Sequence, residues 1–317
     1  MPYPYDIVEI NKRAAEDPEG FAYECEAIYN RKVMEAAASI SERAQISRVV
    51  FLSGPSGSGK TTTAQKICDA IKKLGIYAHT VSMDMYFLAS DREAAPRTDD
   101  GEYDLESPYC LDLDLLNEHY RNLDNGEEVV IPFFCFNLQN RDPLKTRTLK
   151  LGKDEIVIFE GIHALNDMLA DEHPNAYKLY ISARSDIEDK NEVCFKRTWT
   201  RLLRRIVRDE LFRGMGASRT LKMWANVRDG EKRYISPFKY KADLLFDSSM
   251  AYEVPVMKRF ALDAIREAID EVPKDTDRLE EMRALLPALM DFEEVDPGLV
   301  PRESILREFI GGGIYGH

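Results

Sequence analysis

Eight consecutive residues, Gly54-Pro55-Ser56-Gly57-Ser58-Gly59-Lys60-Thr61, fit the pattern G-x-x-x-x-G-K-[ST] in full. Glycines at this spacing let backbone N–H groups turn toward one anion, and the N-terminus of a following helix adds partial positive charge. Read this way, Gly54, Ser56, Gly57, Ser58, Gly59, Lys60, Thr61 and Thr62 cradle a nucleoside triphosphate. Lys60 reaches the outer phosphates and the Thr61 hydroxyl holds Mg²⁺. Such a loop predicts triphosphate binding without fixing the reaction. A small-molecule kinase and a GTPase or mechanical ATPase both remain open. The N-K-x-D run that would read guanine is missing, since Asn11-Lys12 continues to Arg13-Ala14.

Two carboxylates follow apolar runs that read as strands. Asp84 stands in Ser82-Met83-Asp84-Met85-Tyr86-Phe87, and Glu160 closes Ile156-Val157-Ile158-Phe159. Ligands of open parallel sheets bind at the carboxyl ends of strands. At such an end Asp84 can take the proton of an attacking hydroxyl and support Mg²⁺. Glu160 would act on Mg²⁺ through bound water. A capping Asp and a surface Glu are the plainer readings, and the intact phosphate loop favours chemistry over both. A third feature is residues 196–213, where Lys196, Arg197, Arg201, Arg204, Arg205, Arg208 and Arg213 face only Asp209 and Glu210. At helical periodicity Arg197, Arg201, Arg204, Arg205 and Arg208 share one arc, with Leu202, Leu203, Ile206, Val207 and Leu211 opposite. A solvated charged face usually mixes Glu with Lys and Arg, whereas this one is nearly all Arg. Guanidinium groups suit phosphate and phosphoryl-transfer charge, so a lid over ATP is expected rather than a nucleic-acid surface.

The elements that must position these groups can be read in outline. A helix is expected over residues 18–45, a buried strand over 48–53 and a helix over 61–74 that stops at Gly75. Strands are expected over 76–82, 155–161, 178–183 and 242–247, with a helix over 111–123. Residues 99–106 are acidic and read as a loop. Residues 128–136 and 146–151 form an expected hairpin, with a turn around Asn140 and Pro143. The tail beyond 260 reads as acidic helix. Strands alternating with helices predict an α/β fold, a parallel sheet covered on both faces. Expected boundaries are an N-terminal helical extension at 1–46, a core at 47–262 and a C-terminal helical extension at 263–317, all in one body.

Composition narrows the class. The 317 residues carry 43 Lys and Arg against 56 Asp and Glu, a net charge of −13, so a wholly basic nucleic-acid binder is excluded. No apolar run is long enough to span a membrane, and the N-terminus lacks the pattern of a secretion signal. Five scattered cysteines without a CxxC pair argue against zinc or disulfides and for reduced thiols in the cytoplasm.

Together these pieces resemble the uridine kinase/phosphoribulokinase family of P-loop kinases. The order of Gly54–Thr61, Ser82–Phe87, Phe159-Glu160-Gly161 and Arg204-Arg205-Ile206-Val207-Arg208-Asp209 carries the resemblance. Tyr103–Ser107, Glu160-Gly161-Ile162-His163-Ala164-Leu165-Asn166, Val227-Arg228-Asp229-Gly230-Glu231 and the ending Val300–Gly312 resemble the longer bacterial uridine-kinase-like members. The resemblance implies a three-layer nucleoside-monophosphate-kinase-like core with a substrate hairpin. It also implies ATP and Mg²⁺ as cofactors and a small-molecule hydroxyl as acceptor, most simply a nucleoside. It casts Asp84 as base and Lys60, Arg208 and Arg213 as groups stabilising phosphoryl charge, with Thr61, Asp84 and Glu160 at the metal. Tyr86, Glu106, Phe134, Gln139, Arg141 and Arg205 become acceptor contacts, Glu106 and Arg205 toward ribose hydroxyls. Pro132-Phe133-Phe134-Cys135-Phe136 departs from the family's P-x-Y-D-F, Gln139 replaces a base-reading His, and Met215 stands where a second lid Arg is usual, with Arg219 nearby. The hydrogen bonds lost with Tyr and His leave room for another polyol, sugar or vitamin-like alcohol. A nucleotide-dependent regulatory or RNA-binding protein is the rival of another class, and oligomeric state is left open.

Overall fold

The computed structural model describes residues 4–98, 101, 103–136, 138–273 and 279–315. Chain order begins β1 (Tyr5–Asp6), α1 (Ile7–Glu16), α2 (Pro18–Arg43), β2 (Val49–Ser53), α3 (Lys60–Lys73) and β3 (Tyr77–Ser82). Then come α4 (Leu113–Asp124), β4 (Val129–Cys135), β5 (Asn140–Leu149), β6 (Glu155–Glu160), α5 (Asp167–Ala170), β7 (Tyr177–Ser182), β8 (Ile187–Asp189) and β9 (Glu192–Phe195). The chain closes with α6 (Arg197–Phe212), α7 (Ala217–Gly230), β10 (Leu244–Asp247), α8 (Glu253–Ile269), α9 (Leu279–Met290) and α10 (Arg307–Ile310).

Five of these strands form one parallel sheet in the order β10-β7-β2-β6-β3. The apolar runs of the sequence are its buried strands, and side-chain alternation sorts their residues into two layers. Val49 and Phe51 face one core with Val81, Val157, Phe159, Leu116 and Tyr120. Val50 and Leu52 face the other, with Ile158, Leu179 and Ile181, beneath residues of α2, α3, α6 and α8. The result is the three-layer α/β arrangement expected. Register brings the strand ends together, since Leu52 and Ser82 both pair with Glu160. The loop after β2, the turn after β3 and the last residue of β6 therefore share one edge of the sheet.

Helix starts follow local capping chemistry. Asp17 accepts from Gly20 N at 3.0 Å ahead of Pro18, and Asp112 accepts from Leu115 N at 3.2 Å to start α4. The extensions share the core of the sheet: Tyr29 of α2, Leu285 of α9 and Phe309 of α10 belong to the cluster containing Leu179. Residue 263, where the C-terminal extension is expected to begin, falls inside α8.

Two local expectations are corrected. In the hairpin, β5 starts at Asn140, so Pro143 lies in a strand and the turn holds Phe136, Leu138 and Gln139. A two-stranded sheet has only edges, where the missing N–H of proline is tolerated. The small sheet β1-β8-β9 was not expected, because its strands of two to four residues are too short to show an alternating period. Residues 99, 100 and 102 of the acidic loop lie outside the described residues. No helix among the described residues is long and apolar enough to cross a membrane.

Candidate active site

The phosphate loop is pressed between the sheet and α6. A Cβ on Gly54 would stand 2.0 Å from the Ile181 carbonyl of β7. Gly57 has φ +75°, and a Cβ there would meet the Arg201 carbonyl at 2.9 Å. Only glycine fits either position without moving backbone. Helix α6 also fastens the loop with side chains. Arg204 Nη1 donates to Gly57 O at 3.1 Å, and Arg205 Nη1 donates to Ser56 Oγ. Lys60 Nζ donates to Pro55 O at 3.3 Å, and the Ser58 hydroxyl is buried without a hydrogen-bond partner.

Three acid-base groups meet at the shared strand edge. Asp84 sits in a short turn whose amide bonds Ser82 Oγ at 3.4 Å. Burial raises its carboxyl above the ordinary range, while Lys60, Arg213 and Arg208 pull it back. Burial pushes Glu160 up to about 7, with Lys60 opposing and Asp84 adding to the rise. Burial lowers the Lys60 ammonium, which Glu160 and Asp84 resist. The three charges are thus mutually dependent. Thr61 Oγ1 donates to Glu160 Oε1 at 3.4 Å. A hydroxyl and two carboxyl groups are hard oxygen donors that fit Mg²⁺. Among the described residues no cluster of three His, Cys, Asp or Glu could hold a metal alone.

On the acceptor side, Glu106 is pushed up to about 7 by burial, with Arg205 opposing and Asp104 adding to the rise. Its Oε2 is buried without a hydrogen-bond partner. His163 adjoins the Glu106 and Tyr234 backbone and lies near Lys60; burial pushes its imidazole down to about 3, so it is neutral. Sequence reasoning quoted His163 within a motif and gave it no role.

Asp209 was quoted in the same way, and it proves central. Its buried carboxylate takes Arg208 at 3.0 and 2.7 Å, approaches Arg213 at 3.7 Å and Arg205 at 4.0 Å, and accepts from Thr220 Oγ1 at 3.2 Å. An acid flanked by arginines within one helix was the available signal.

The arginine face needs correction. Helix α6 is buried on all sides from Trp199 to Asp209, because carboxylates from neighbouring elements enter the core to meet it. Arg201 pairs with Glu231 at 3.0 and 2.7 Å, and Arg204 with Glu253 at 2.7 Å. Leu211, expected on the buried side, is exposed. The other expected acceptor contacts are engaged within the fold. Tyr86 is 0% exposed, and its hydroxyl bonds His119 Nδ1 at 2.8 Å in the core. Phe134 is 1% exposed, packed on Phe87 and Phe136. Arg141 fastens the hairpin, donating to Phe87 O at 3.1 Å and Tyr86 O at 3.0 Å and pairing with Asp112 at 3.0 Å. Gln139, at φ +50°, turns its amide onto Phe136 O at 2.8 Å. Carbonyls shielded from water need donors, and Arg141 supplies them at Tyr86 and Phe87. Arg219 is exposed on the first turn of α7.

Comparison with known proteins matches residues 49–255 to the profile of the phosphoribulokinase/uridine kinase family. The uridine kinase of Schizosaccharomyces pombe is 34% identical over 169 residues, which is 53% of this chain and 33% of that protein. The uridine kinase of Saccharomyces cerevisiae is 29% identical over 201 residues, 63% of this chain and 36% of that one. The uridine kinase of Staphylococcus haemolyticus is 25% identical over 209 residues, 66% of this chain and 91% of that one. The match thus spans about a third of the length of the two yeast relatives.

Proposed function

Because the chain belongs to the phosphoribulokinase/uridine kinase family, we propose that it transfers a phosphoryl group from ATP to the hydroxyl of a small molecule, with uridine or cytidine as the leading acceptors. The observation that carries this reading is the buried Asp84, set among Lys60, Arg213 and Arg208 at the edge where the phosphate loop ends. A carboxylate in such company can accept the proton of an incoming hydroxyl while the three cations balance charge on the moving phosphoryl group. The loop amides and Lys60 orient the donor. Thr61 and Glu160, with Asp84 beside them, would hold Mg²⁺, which when bound supplies positive charge to the donor phosphates. Glu106 and Arg205 stand ready for acceptor hydroxyls, and the neutral His163 adjoins the Glu106 backbone.

A second acceptor class is favoured by one observation. Gln139 spends its amide on its own turn, and Phe134 is core, so the hairpin offers little to read a base. A sugar, another polyol or a vitamin-like alcohol remains a direct competitor to the nucleosides. The RNA-binding rival is weakened, because Arg201, Arg204, Arg205 and Arg208 are buried and cannot coat a phosphate backbone.

The test is ATP consumption across a panel of nucleosides, sugars and other alcohols, with Asp84→Asn as control. Turnover on uridine or cytidine that falls by about 10²–10⁴ in the variant supports the leading reading. Turnover on another alcohol alone moves the acceptor. Turnover unchanged by the substitution removes Asp84 from its role.

A further inference from the structure

The segment from Ser304 to Gly312 lies outside the residues matched by the family profile, yet it touches the phosphate loop region at three points. Ile305 packs against Gly59, its Cδ1 3.4 Å from where a Cβ would stand. Phe309 lies beneath the Arg204 guanidinium, 5.3 Å from ring centroid to cation. The Glu308 carboxylate accepts a hydrogen bond from Thr62 N at 3.2 Å.

The third contact is chemically unusual. Thr62 belongs to the first turn of α3, whose amides a phosphate loop presents to the α- and β-phosphates of a nucleotide. A carboxylate on that amide stands where a phosphate oxygen would otherwise be received. One N–H cannot serve both fully, and two anions side by side repel. Glu308 also acts electrostatically on Lys60, Glu160 and Arg213, so its charge lies in the field that must receive the donor. The backbone beneath it is well anchored. Arg307 donates to Pro301 O, Gly311 O and Pro297 O at 3.4, 3.2 and 3.1 Å, and Ile305, Leu306 and Phe309 are buried. A swing of the Glu308 side chain would suffice to free the Thr62 amide.

Resting on the reading of this loop as a nucleotide site, we infer that Glu308 is a resident anion that sets donor affinity. It competes with the phosphate nearest the nucleoside for the Thr62 amide. Phosphorylated nucleotides bind against this competition, and a nucleoside without phosphate does not meet it.

Isothermal titration of the wild-type chain, Glu308→Ala and Glu308→Gln with ADP and with adenosine, at one ionic strength, tests the idea. Loss of a charge-assisted contact of this kind predicts ADP binding about 5- to 20-fold tighter to Glu308→Ala, with Glu308→Gln between that variant and wild type. Adenosine affinity stays within about twofold for all three proteins, since the competition is with phosphate alone. Unchanged or weaker ADP binding in the variants overturns the inference, and so does an equal gain for adenosine. Urea unfolding checks the fold, and the near-isosteric Glu308→Gln carries the comparison if the Ala variant is unstable. ADP that fails to bind the wild-type chain strikes the nucleotide reading and this inference with it. Sound wild-type binding without a gain in the variants strikes Glu308 alone.

Discussion

The two halves of α6 use one residue type for opposite ends. Arg201 and Arg204 each meet a buried carboxylate from another element, Glu231, which Arg228 shares, and Glu253, so each charge has a dedicated structural acid. Arg205, Arg208 and Arg213 instead gather around the single carboxylate of Asp209. Three cations on one acid leave a surplus. Burial followed by the like charge of Arg208 depresses Arg205 to about 10 and lowers Arg213 as well. The surplus lies near Asp84, where phosphoryl charge is expected to move. A matched pair serves the fold, and an unmatched cluster is ready for an anion. Charge stoichiometry, more than residue identity, separates the two roles.

The comparison can be broken most directly at Arg204. Replacing it with Ala leaves Glu253 buried and unpaired and frees the Gly57 carbonyl. The expected loss is about 3–5 kcal/mol of stability in urea unfolding. A loss below about 1 kcal/mol would show that the pair is not a structural member, since that is the range of exposed pairs.

The Glu231 pair sharpens the same point through pH. Burial works to raise this carboxyl, yet Arg201 and Arg228 hold it down at about 2 against an ordinary 4.5. A depressed carboxyl contributes stability that is complete above its unfolded value and is lost as pH falls through the folded one. About 3 kcal/mol should therefore disappear between roughly pH 5 and pH 2. Glu231→Gln should flatten that part of the curve in thermal or urea unfolding, and an unchanged slope would contradict the pairing.

At the other end of the helix the effect should move from stability to rate. Arg213→Ala removes a partly exposed member of the surplus cluster and should cut kcat by about 10² while shifting stability by less than about 1 kcal/mol. Equal losses in both would erase the distinction drawn here. The smallest effect is expected at Gln139. With its amide turned onto Phe136 O, Gln139→Ala should change acceptor KM by less than about threefold, the size of a few tenths of a kcal/mol. A tenfold rise would place its side chain in the pocket.

Much of this was legible in the residues themselves. The strands at Val49–Ser53 and Glu155–Glu160 announce themselves as unbroken β-prone apolar runs, because a sheet covered on both faces wants apolar side chains at every position. The loop Gly54–Thr61 is a local device whose glycines, lysine and threonine act through backbone geometry, so its pattern survives without tertiary knowledge. Asp84 and Glu160 could be placed because each ends a strand. Tyr86, Phe134, Arg141 and Gln139 could not be placed. Their positions in the chain fit an acceptor pocket, but packing against His119, Phe87 and the carbonyls of the Tyr86–Phe87 turn settles what they touch.

By itself, then, the sequence determined the parallel three-layer fold, the phosphate loop and the acids beside it, since each depends on short-range pattern and backbone chemistry. Tertiary structure alone decided which arginines of α6 hold the fold and which face Asp84, and that Glu308, 246 residues away in the chain, reaches the Thr62 amide. Helical periodicity gives a direction around an axis. The acid that waits in that direction comes from elsewhere in the chain, and its presence or absence determines whether a buried positive charge is neutralised or left for a ligand.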